Sequence, residues 1–459
     1  MSKKPSEKPN ILFLMSDEHR ADVAGYAGNR IIRTPILDEL ARTGVVFSNA
    51  YTPSPICSPA RPCIMAGQLP KTCGALEFGD DLPPFSNTFA RVFSEHDYST
   101  VVAGKLHHTG MDVMQGWTQR IGGDTNVSNK LYKNNGEKER RDPQVNPTLA
   151  IKNKWSDAKE IKRAGICTKD GYHIDEYTVL GAEQFIRDYF NSPYYDRPGE
   201  NPLLLKVSLI RPHYPYLTTE EKFNYYLNRV EPYLNETVFD HPFLSTRQVK
   251  PGVDAEPREI RRATAAYYGM IEELDEHYAR ILKALELVNQ NVDDWIIVYT
   301  SDHGEMLGQH GIWEKQKFFE ASVRVPLIIR YPKRFKGGTV VNENVNLCDL
   351  YATLCELAGI PIPSGLDSRS LVPLMEGNRK GWNNESISHF GKTNLMIKQD
   401  HLKYQYYGEH MPEVLFDLNR NPDETKNYID DPAYAEDIRA FRKRRIELGY
   451  YHEEHKVRK

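Results

Sequence analysis

ILFLMSDEH, residues 11–19, is a run of five apolar residues passing directly into Ser16-Asp17-Glu18-His19. A short continuous apolar run of this kind reads as a strand buried on both faces, as in a parallel sheet covered by helices on each side. The polar residues that follow are delivered at the strand's carboxyl end, which is where ligand sites form in open α/β sheets. Three further segments repeat the design. Ser99 to Ala103 leads into Gly104-Lys105-Leu106-His107-His108, and Leu203 to Leu209 leads into Arg211-Pro212-His213. Trp295 to Tyr299 leads into Thr300-Ser301-Asp302-His303-Gly304. One site assembled from four distant strand ends is the expectation.

The elements between these strands fit an α/β fold. A helix is expected over Thr34 to Thr43, with Thr34 as cap and Pro35 in the first turn. The clearest helix is Arg258 to Val288, where Ile260, Ala263, Tyr267, Ile271, Leu274, Tyr278, Ile281 and Leu285 form a stripe at three- and four-residue steps. Leu347 to Leu357 also reads as helical, and Pro361 to Asp367 as a linker. Residues 125–165 are polar, rich in Lys and Arg and without period: an insertion that either covers the site or runs over the surface as a solvated excursion. The C-terminal part carries short tyrosine-rich strands, His401 to Tyr407 and Val414 to Leu418, then a basic helix near Tyr434 to Leu448. The expected architecture is a large mixed central sheet flanked by helices over residues 9–365, with a smaller α+β subdomain over 366–459.

Composition narrows the function classes. With 459 residues the chain is long enough for one large domain and a small one. Its net charge of −4 gives no basic field for nucleic acid. No apolar run approaches the roughly 18 residues of a membrane span. The opening MSKKPSEKPN is polar and lacks a secretory apolar stretch, so a cytoplasmic location is expected. The cysteines at 57, 63, 73, 167, 348 and 355 follow neither a zinc-site nor a disulfide-framework spacing. In a reducing compartment most of them read as buried thiols.

Cys57 stands apart, because PICSPARPCIMAGQ contains Cys57-Ser58-Pro59-Ala60-Arg61, the form Cys-x-Pro-x-Arg. On its own this is also what a buried cysteine in a proline-rich turn looks like. Its company includes PNILFLMSDEHRADVAGYAG, RTPILDELARTGVVFSNAYTPSPICSPAR, AGKLHH, RPHYP, YTSDHGEMLGQHGIWEKQKFFEASVRVPLIIR and VLFDLNRNPDETKN, in this order. Together these resemble the type I sulfatases of the alkaline phosphatase superfamily. In that family the cysteine is oxidised by a separate maturation enzyme to formylglycine. A formylglycine-generating enzyme is therefore an implied partner, and a sulfated small molecule or saccharide the implied substrate.

The resemblance implies roles residue by residue. Asp17, Asp302 and His303, with residue 57 itself, would bind one divalent cation, expected to be Ca²⁺ because oxygen ligands dominate, with Mg²⁺ or Mn²⁺ as alternatives. Glu18 departs from the Asp, Gln or Asn usual at its position; one methylene longer, it is counted among the metal ligands, with a turn toward substrate as the alternative. The hydrated aldehyde at 57 would attack sulfur and later release sulfate as its second hydroxyl collapses back to the aldehyde, with Arg61 orienting the diol. Lys105 and Lys315 would grip the sulfate. His107 or His108 would take the proton during elimination, His107 being preferred, and His213 would act as general acid. His310 is expected to support the site from behind. A phosphonate monoester or phosphodiester hydrolase of the same superfamily is the rival reading. The segment GQHGIWEKQKFFEASVRVP is closer in style to choline and carbohydrate sulfatases. An unmatured metal-binding protein is a third reading, opposed by the full set of site residues. A homo-oligomeric interface in the tyrosine-rich C-terminal part is a further expectation.

Overall fold

The computed structural model describes residues 8–108, 110–122, 158–167, 174–192 and 199–451. Most of the polar insertion expected over 125–165 lies outside these residues. The strands are β1 (Ile11–Asp17), β2 (Val45–Tyr51), β3 (Ser99–Gly104), β4 (Gln119–Ile121), β5 (Gly165–Ile166), β6 (Leu203–Pro212), β7 (Leu217–Thr218), β8 (Ile296–Ser301), β9 (Arg324–Val325), β10 (Leu327–Arg330), β11 (Thr339–Asn346), β12 (Glu385–Phe390), β13 (Asn394–Gln399), β14 (Leu402–Tyr406) and β15 (Val414–Asp417). The helices that matter below are α1 (Pro35–Thr43), α2 (Cys57–Ala66), α3 (Phe89–Glu95), α4 (Ile174–Asn191), α5 (Glu220–Leu227), α6 (Pro257–Leu287), α7 (Leu350–Leu357) and α8 (Ala435–Glu447).

The large sheet runs β11-β2-β10-β8-β1-β6-β3-β4, with β9 paired on β2. Its centre is parallel, and β10 runs antiparallel to both of its neighbours, so the sheet is mixed as expected. Side chains alternate across the pleat. Ile11, Phe13 and Met15 face a core with α3 and α7, through Phe89, Phe93, Leu350 and Leu354. Leu12 and Leu14 face the opposite core with α4 and α6, through Val179, Ile186, Leu274, Tyr278 and Ile281. Burial on both faces is why β1 is apolar at every position from Ile11 to Met15 rather than alternating.

Helix α6 carries the stripe read from the sequence, and all eight of its apolar residues are buried. Pro257 occupies its first turn, and Glu256 and Glu259 cap each other's backbone N–H groups in a capping box. Helix α1 differs from expectation at its start. Thr34 holds the cap position, but its hydroxyl bonds Asp38 and the Gly25 N–H and leaves the helix N–H groups alone. Asp275 of α6 supplies the cap instead, accepting from Ile36 N at 3.0 Å and Leu37 N at 2.8 Å. A carboxylate from a distant helix thus replaces the local hydroxyl and ties α1 to α6.

Leu371 to Met375 pack in the core of the large sheet. The small antiparallel sheet β12-β13-β14-β15 follows. One of its faces meets α8 through Tyr404, Phe441 and Tyr434. The other meets the large domain through Met396, Val414 and Phe416, in the same cluster as Ile56, Cys57, Phe318 and Phe319. The C-terminal sheet therefore walls one side of the segment carrying Cys57. No described helix is long and apolar enough to cross a membrane.

Burial, with Asp38 and Glu276 nearby, pushes the Asp275 carboxyl up to about 7. A group whose folded value lies above its unfolded one favours the folded state most at low pH, and that contribution is lost as pH rises through the folded value. Stability should therefore fall between about pH 4 and pH 7, and Asp275→Asn should flatten this slope in denaturant titrations. Asp275→Ala, which orphans two N–H groups at the start of α1, should lower stability by about 1–3 kcal/mol at any pH.

Candidate active site

The register of the central strands explains why distant residues meet. Ser16 of β1 is opposite Ser301 of β8, so Asp17 and Asp302, the next residues in each chain direction, emerge side by side. Gly104 of β3 is opposite Ser208 of β6. At Gly104 the backbone has φ of 90° and a Cβ would sit 2.1 Å from Ser208 O, so only glycine lets Lys105 turn into the same space. Gly304 solves a similar problem after His303: a Cβ there would lie 2.0 Å from Ala321 O.

Helix α2 begins at Cys57. The spacing of Cys57 and Arg61 is i,i+4, which puts both side chains on one face. Pro59 lies in the first turn, where its missing N–H leaves no intrahelical bond unmade. The exposed N–H groups of such a turn favour negative charge beside residue 57.

Arg61 is fully buried and divides its donors among four acceptors. Its Nε donates to Asp302 Oδ2 at 2.7 Å and its Nη2 to Asp17 Oδ2 at 2.9 Å. Its Nη1 donates to Lys105 O and Ser208 Oγ, each at 2.9 Å. Lys105 Nζ lies 2.6 Å from the same Asp17 Oδ2. Burial alone would raise the Asp17 carboxyl, but Lys105 and the other cationic neighbours outweigh it and hold it well below the usual range. Burial likewise pushes the Cys57 thiol up, and Lys105, with His303 and Lys315 also beside it, brings it below its ordinary value.

Asp17, Cys57, Asp302 and His303 place one ligand atom each within 4.8 Å of one another. Asp17 Oδ1 and His303 Nε2 are buried without a hydrogen-bond partner. His303 Nδ1 donates to Gly304 O at 2.9 Å, which fixes the tautomer and leaves the Nε2 lone pair facing the carboxylates. Two carboxylates, an imidazole and orphaned acceptor atoms fit a divalent cation.

Glu18 stands outside this foursome and forms a second group with Asp17 and His213. Its Oε2 is 2.8 Å from Lys315 Nζ and 3.5 Å from His213 Nε2. Burial, Glu305 and Glu314 push the Glu18 carboxyl up against the pull of Lys315. Burial works against the Lys315 charge, but Glu18 outweighs it, so Lys315 stays a cation. His213 lies between two cis peptides, Arg211–Pro212 and Tyr214–Pro215. Its Nδ1 donates to Tyr214 O at 2.7 Å, leaving a lone pair on Nε2. Burial and Lys315 hold this imidazole well below its usual value, hence neutral.

The two histidines after Lys105 part company. His108 is fixed by Asp81, with Nδ1 2.7 Å from Oδ1. His107 has φ of 60° and packs edge-on against Phe78 at 5.6 Å. Neither belongs to the four-ligand cluster. His310, also at positive φ, stacks on Phe319 at 4.0 Å and belongs to neither ligand group. Several residues unremarked in the sequence complete the site. Ser208 holds Arg61, and Glu305 accepts from Leu307 N and Glu314 N while its other oxygen takes the Tyr216 hydroxyl. Glu314 in turn pairs with Arg247 at 2.8 Å. Glu305 and Glu314 were within sight, three residues after Asp302 and one before Lys315; Ser208, inside an apolar strand, carried no signal.

Residues 9–360 match the Sulfatase family model, and residues 308–449 match the model for the C-terminal region of N-sulphoglucosamine sulphohydrolase. The chain belongs to the sulfatase family of the alkaline phosphatase superfamily and is a sulfuric ester hydrolase. An arylsulfatase of Clostridium perfringens is 30% identical over 461 residues, covering 95% of this chain and 93% of its own. A choline-sulfatase of Rhizobium meliloti is 29% identical, covering 93% and 83%. In fold, the chain is similar to the phosphonate monoester hydrolase of Agrobacterium radiobacter, with a TM-score of 0.75 at 23% identity over 96% of this chain and 95% of that one. It is equally similar, with a TM-score of 0.75 at 19% identity over 96% and 97%, to a protein solved with its substrate D-glucosamine-2-N,6-O-disulfate.

Adding Ca²⁺ at about a hundredfold excess over its dissociation constant should stabilise the protein by about 2.7 kcal/mol. Asp302→Asn should remove that shift in thermal unfolding, and an undiminished shift would take Asp302 out of the ligand set. Arg61→Ala, which leaves two buried carboxylates facing each other, should destabilise the metal-free protein by about 3–5 kcal/mol.

Proposed function

We propose that the chain hydrolyses a sulfate monoester of a carbohydrate or small molecule, with a formylglycine made from Cys57 as the source of its nucleophile. The observation that carries this reading is the placement of Cys57 at the start of α2, sharing one ligand cluster with Asp17, Asp302 and His303. Lys105 pairs with Asp17 of that cluster, and Lys315 pairs with the neighbouring Glu18.

Asp17, Asp302, His303 and residue 57 would hold a divalent cation, which would supply positive charge beside the nucleophile and the sulfate. The hydrated aldehyde would supply the attacking oxygen, and a maturation enzyme must act before the chain is competent. Arg61 is spent on Asp17 and Asp302, so in this reading it positions the carboxylates. Lys105 and Lys315 are the cations able to turn toward sulfate oxygens, exchanging a carboxylate partner for the anion. Glu18 is the partner Lys315 would release, and this ties the longer side chain at position 18 to the sulfate-binding lysine. His213 is neutral in the resting site, with two lysines opposing its charge. A bound anion offsets those lysines, and His213 Nε2 can then carry the proton given to the departing alcohol. His107 remains the candidate for the proton taken when sulfate is released, because His108 is committed to Asp81.

Cys57→Ala should lower turnover by roughly a thousandfold or more without loss of fold. Lys315→Ala should lower kcat by roughly a hundredfold or more. A sulfate monoester and a phosphodiester with the same leaving group, assayed with the same metal and pH, separate the sulfatase from the phosphonate-hydrolase reading. The expected result is a higher kcat/KM on the sulfate, since a diester carries a second substituent where the two lysines close. A preference for the diester would reverse the assignment of substrate class.

A further inference from the structure

Three cysteines that are scattered in the sequence meet behind the site. Cys63 lies in the last turns of α2, Cys73 at the end of the short helix Pro70–Cys73, and Cys348 just before α7. They form a small cluster with Ala75 and Leu69. Cys63 Sγ and Cys73 Sγ are 3.5 Å apart. Cys348 is turned elsewhere: its thiol donates to Gln68 O at 3.2 Å and Cys63 O at 3.7 Å. The three do not converge as metal ligands among the described residues.

The pair is asymmetric in access and acidity. Cys63 and Cys348 are buried, whereas Cys73 is partly exposed. The hydrogen bond from Cys63 brings the Cys73 thiol below its ordinary value against the effect of burial, while burial pushes the Cys63 thiol up. A partly exposed cysteine with raised thiolate character beside a second, buried thiol is the arrangement of an attacking and a resolving cysteine.

We propose that Cys63 and Cys73 form a thiol–disulfide exchange site that responds to external small-molecule disulfides. The Cys73 thiolate attacks one sulfur of the external disulfide, giving a mixed disulfide and releasing one thiolate. Cys63 then loses its proton and attacks Cys73 Sγ, forming the Cys63–Cys73 bond and releasing the second thiolate. Two cysteine thiols are oxidised, the external disulfide is reduced to two thiols, and the two cysteine protons end on those products. The bond ties the last turns of α2, whose first residue is Cys57, to the segment that follows it. This site stands independently of the sulfatase reading.

The test uses the full chain with oxidised glutathione, acid quenching, alkylation of the remaining thiols and peptide mass mapping. Trypsin leaves Cys57 and Cys63 on one peptide, since Arg61 precedes Pro62, and cuts after Lys71 before Cys73; fragmentation therefore assigns the partner. The expected result is loss of two alkylatable thiols as a Cys63–Cys73 link, restored by dithiothreitol. Cys63→Ala should trap glutathione on Cys73, and Cys73→Ser should leave Cys63 alkylatable. Cys167, also partly exposed, should give only a mixed disulfide. A link from Cys63 to Cys348, or both thiols staying alkylatable under conditions that modify Cys167, would overturn the proposal.

Discussion

The guanidinium of Arg61 is the joint on which the site turns. It reaches Asp17 at the end of β1, Asp302 just past β8, the Lys105 carbonyl after β3 and Ser208 on β6, all from α2. Four strands and one helix are thereby tied together by one side chain. The planar fork suits this task, because it offers several donors in a rigid geometry and keeps its charge when buried. Lysine could satisfy one carboxylate but could not span two while holding a carbonyl and a hydroxyl. Burying a cation between two carboxylates would be unfavourable without this full set of partners. That requirement links the Cys-x-Pro-x-Arg spacing to the sheet: the arginine must leave α2 on the same face as residue 57, and i,i+4 is the spacing that does so.

The C-terminal sheet enters the site as packing. Met396, Val414 and Phe416 share a cluster with Ile56, Cys57 and Phe239, whose ring packs on Phe416 at 5.2 Å. Lys403 of β14 is buried against Glu320 and Glu424, so the contact between the sheets includes an ionic knot as well as apolar surface. A segment far from the catalytic motifs thereby shapes the ground on which residue 57 stands.

Much of this was legible because the four site strands are apolar on both faces. That pattern marks a covered parallel sheet and makes the change to polar residues at each strand end conspicuous. The α6 stripe was legible for the analogous reason at helical period. Strands β2 and β11 carried weaker signals, since serine and asparagine interrupt their apolar runs where they reach the sheet's edge. The capping of α1 was misread because a local hydroxyl is the common solution, and nothing at Thr34 tells of Asp275 on a helix more than 200 residues away. The same limit applies to Ser208, whose role depends on which strand lies beside β3. Glu18, counted among the metal ligands from the sequence, stands outside the four-ligand cluster and beside Lys315 and His213.

The charges of the site explain why a cation and an anion belong there together. Arg61, Lys105 and Lys315 are balanced by Asp17, Asp302 and Glu18, each cation within 3 Å of a carboxylate oxygen. With that balance closed, neither lysine has reason to leave its partner for a bound anion. A divalent cation drawn to Asp17 and Asp302 would compete for the carboxylate that Lys105 now holds and leave the site with surplus positive charge. Asp17 can serve both neighbours because its Oδ2 faces Arg61 and Lys105 while its Oδ1 is unpartnered. The surplus would then favour an anionic group between the two lysines. In such a balance a metal and a sulfate would be coupled ligands, each offsetting the charge the other brings into a buried, low-dielectric space. The carboxylates would therefore do more than hold a metal, because each also pairs with a cation that an arriving anion could take over.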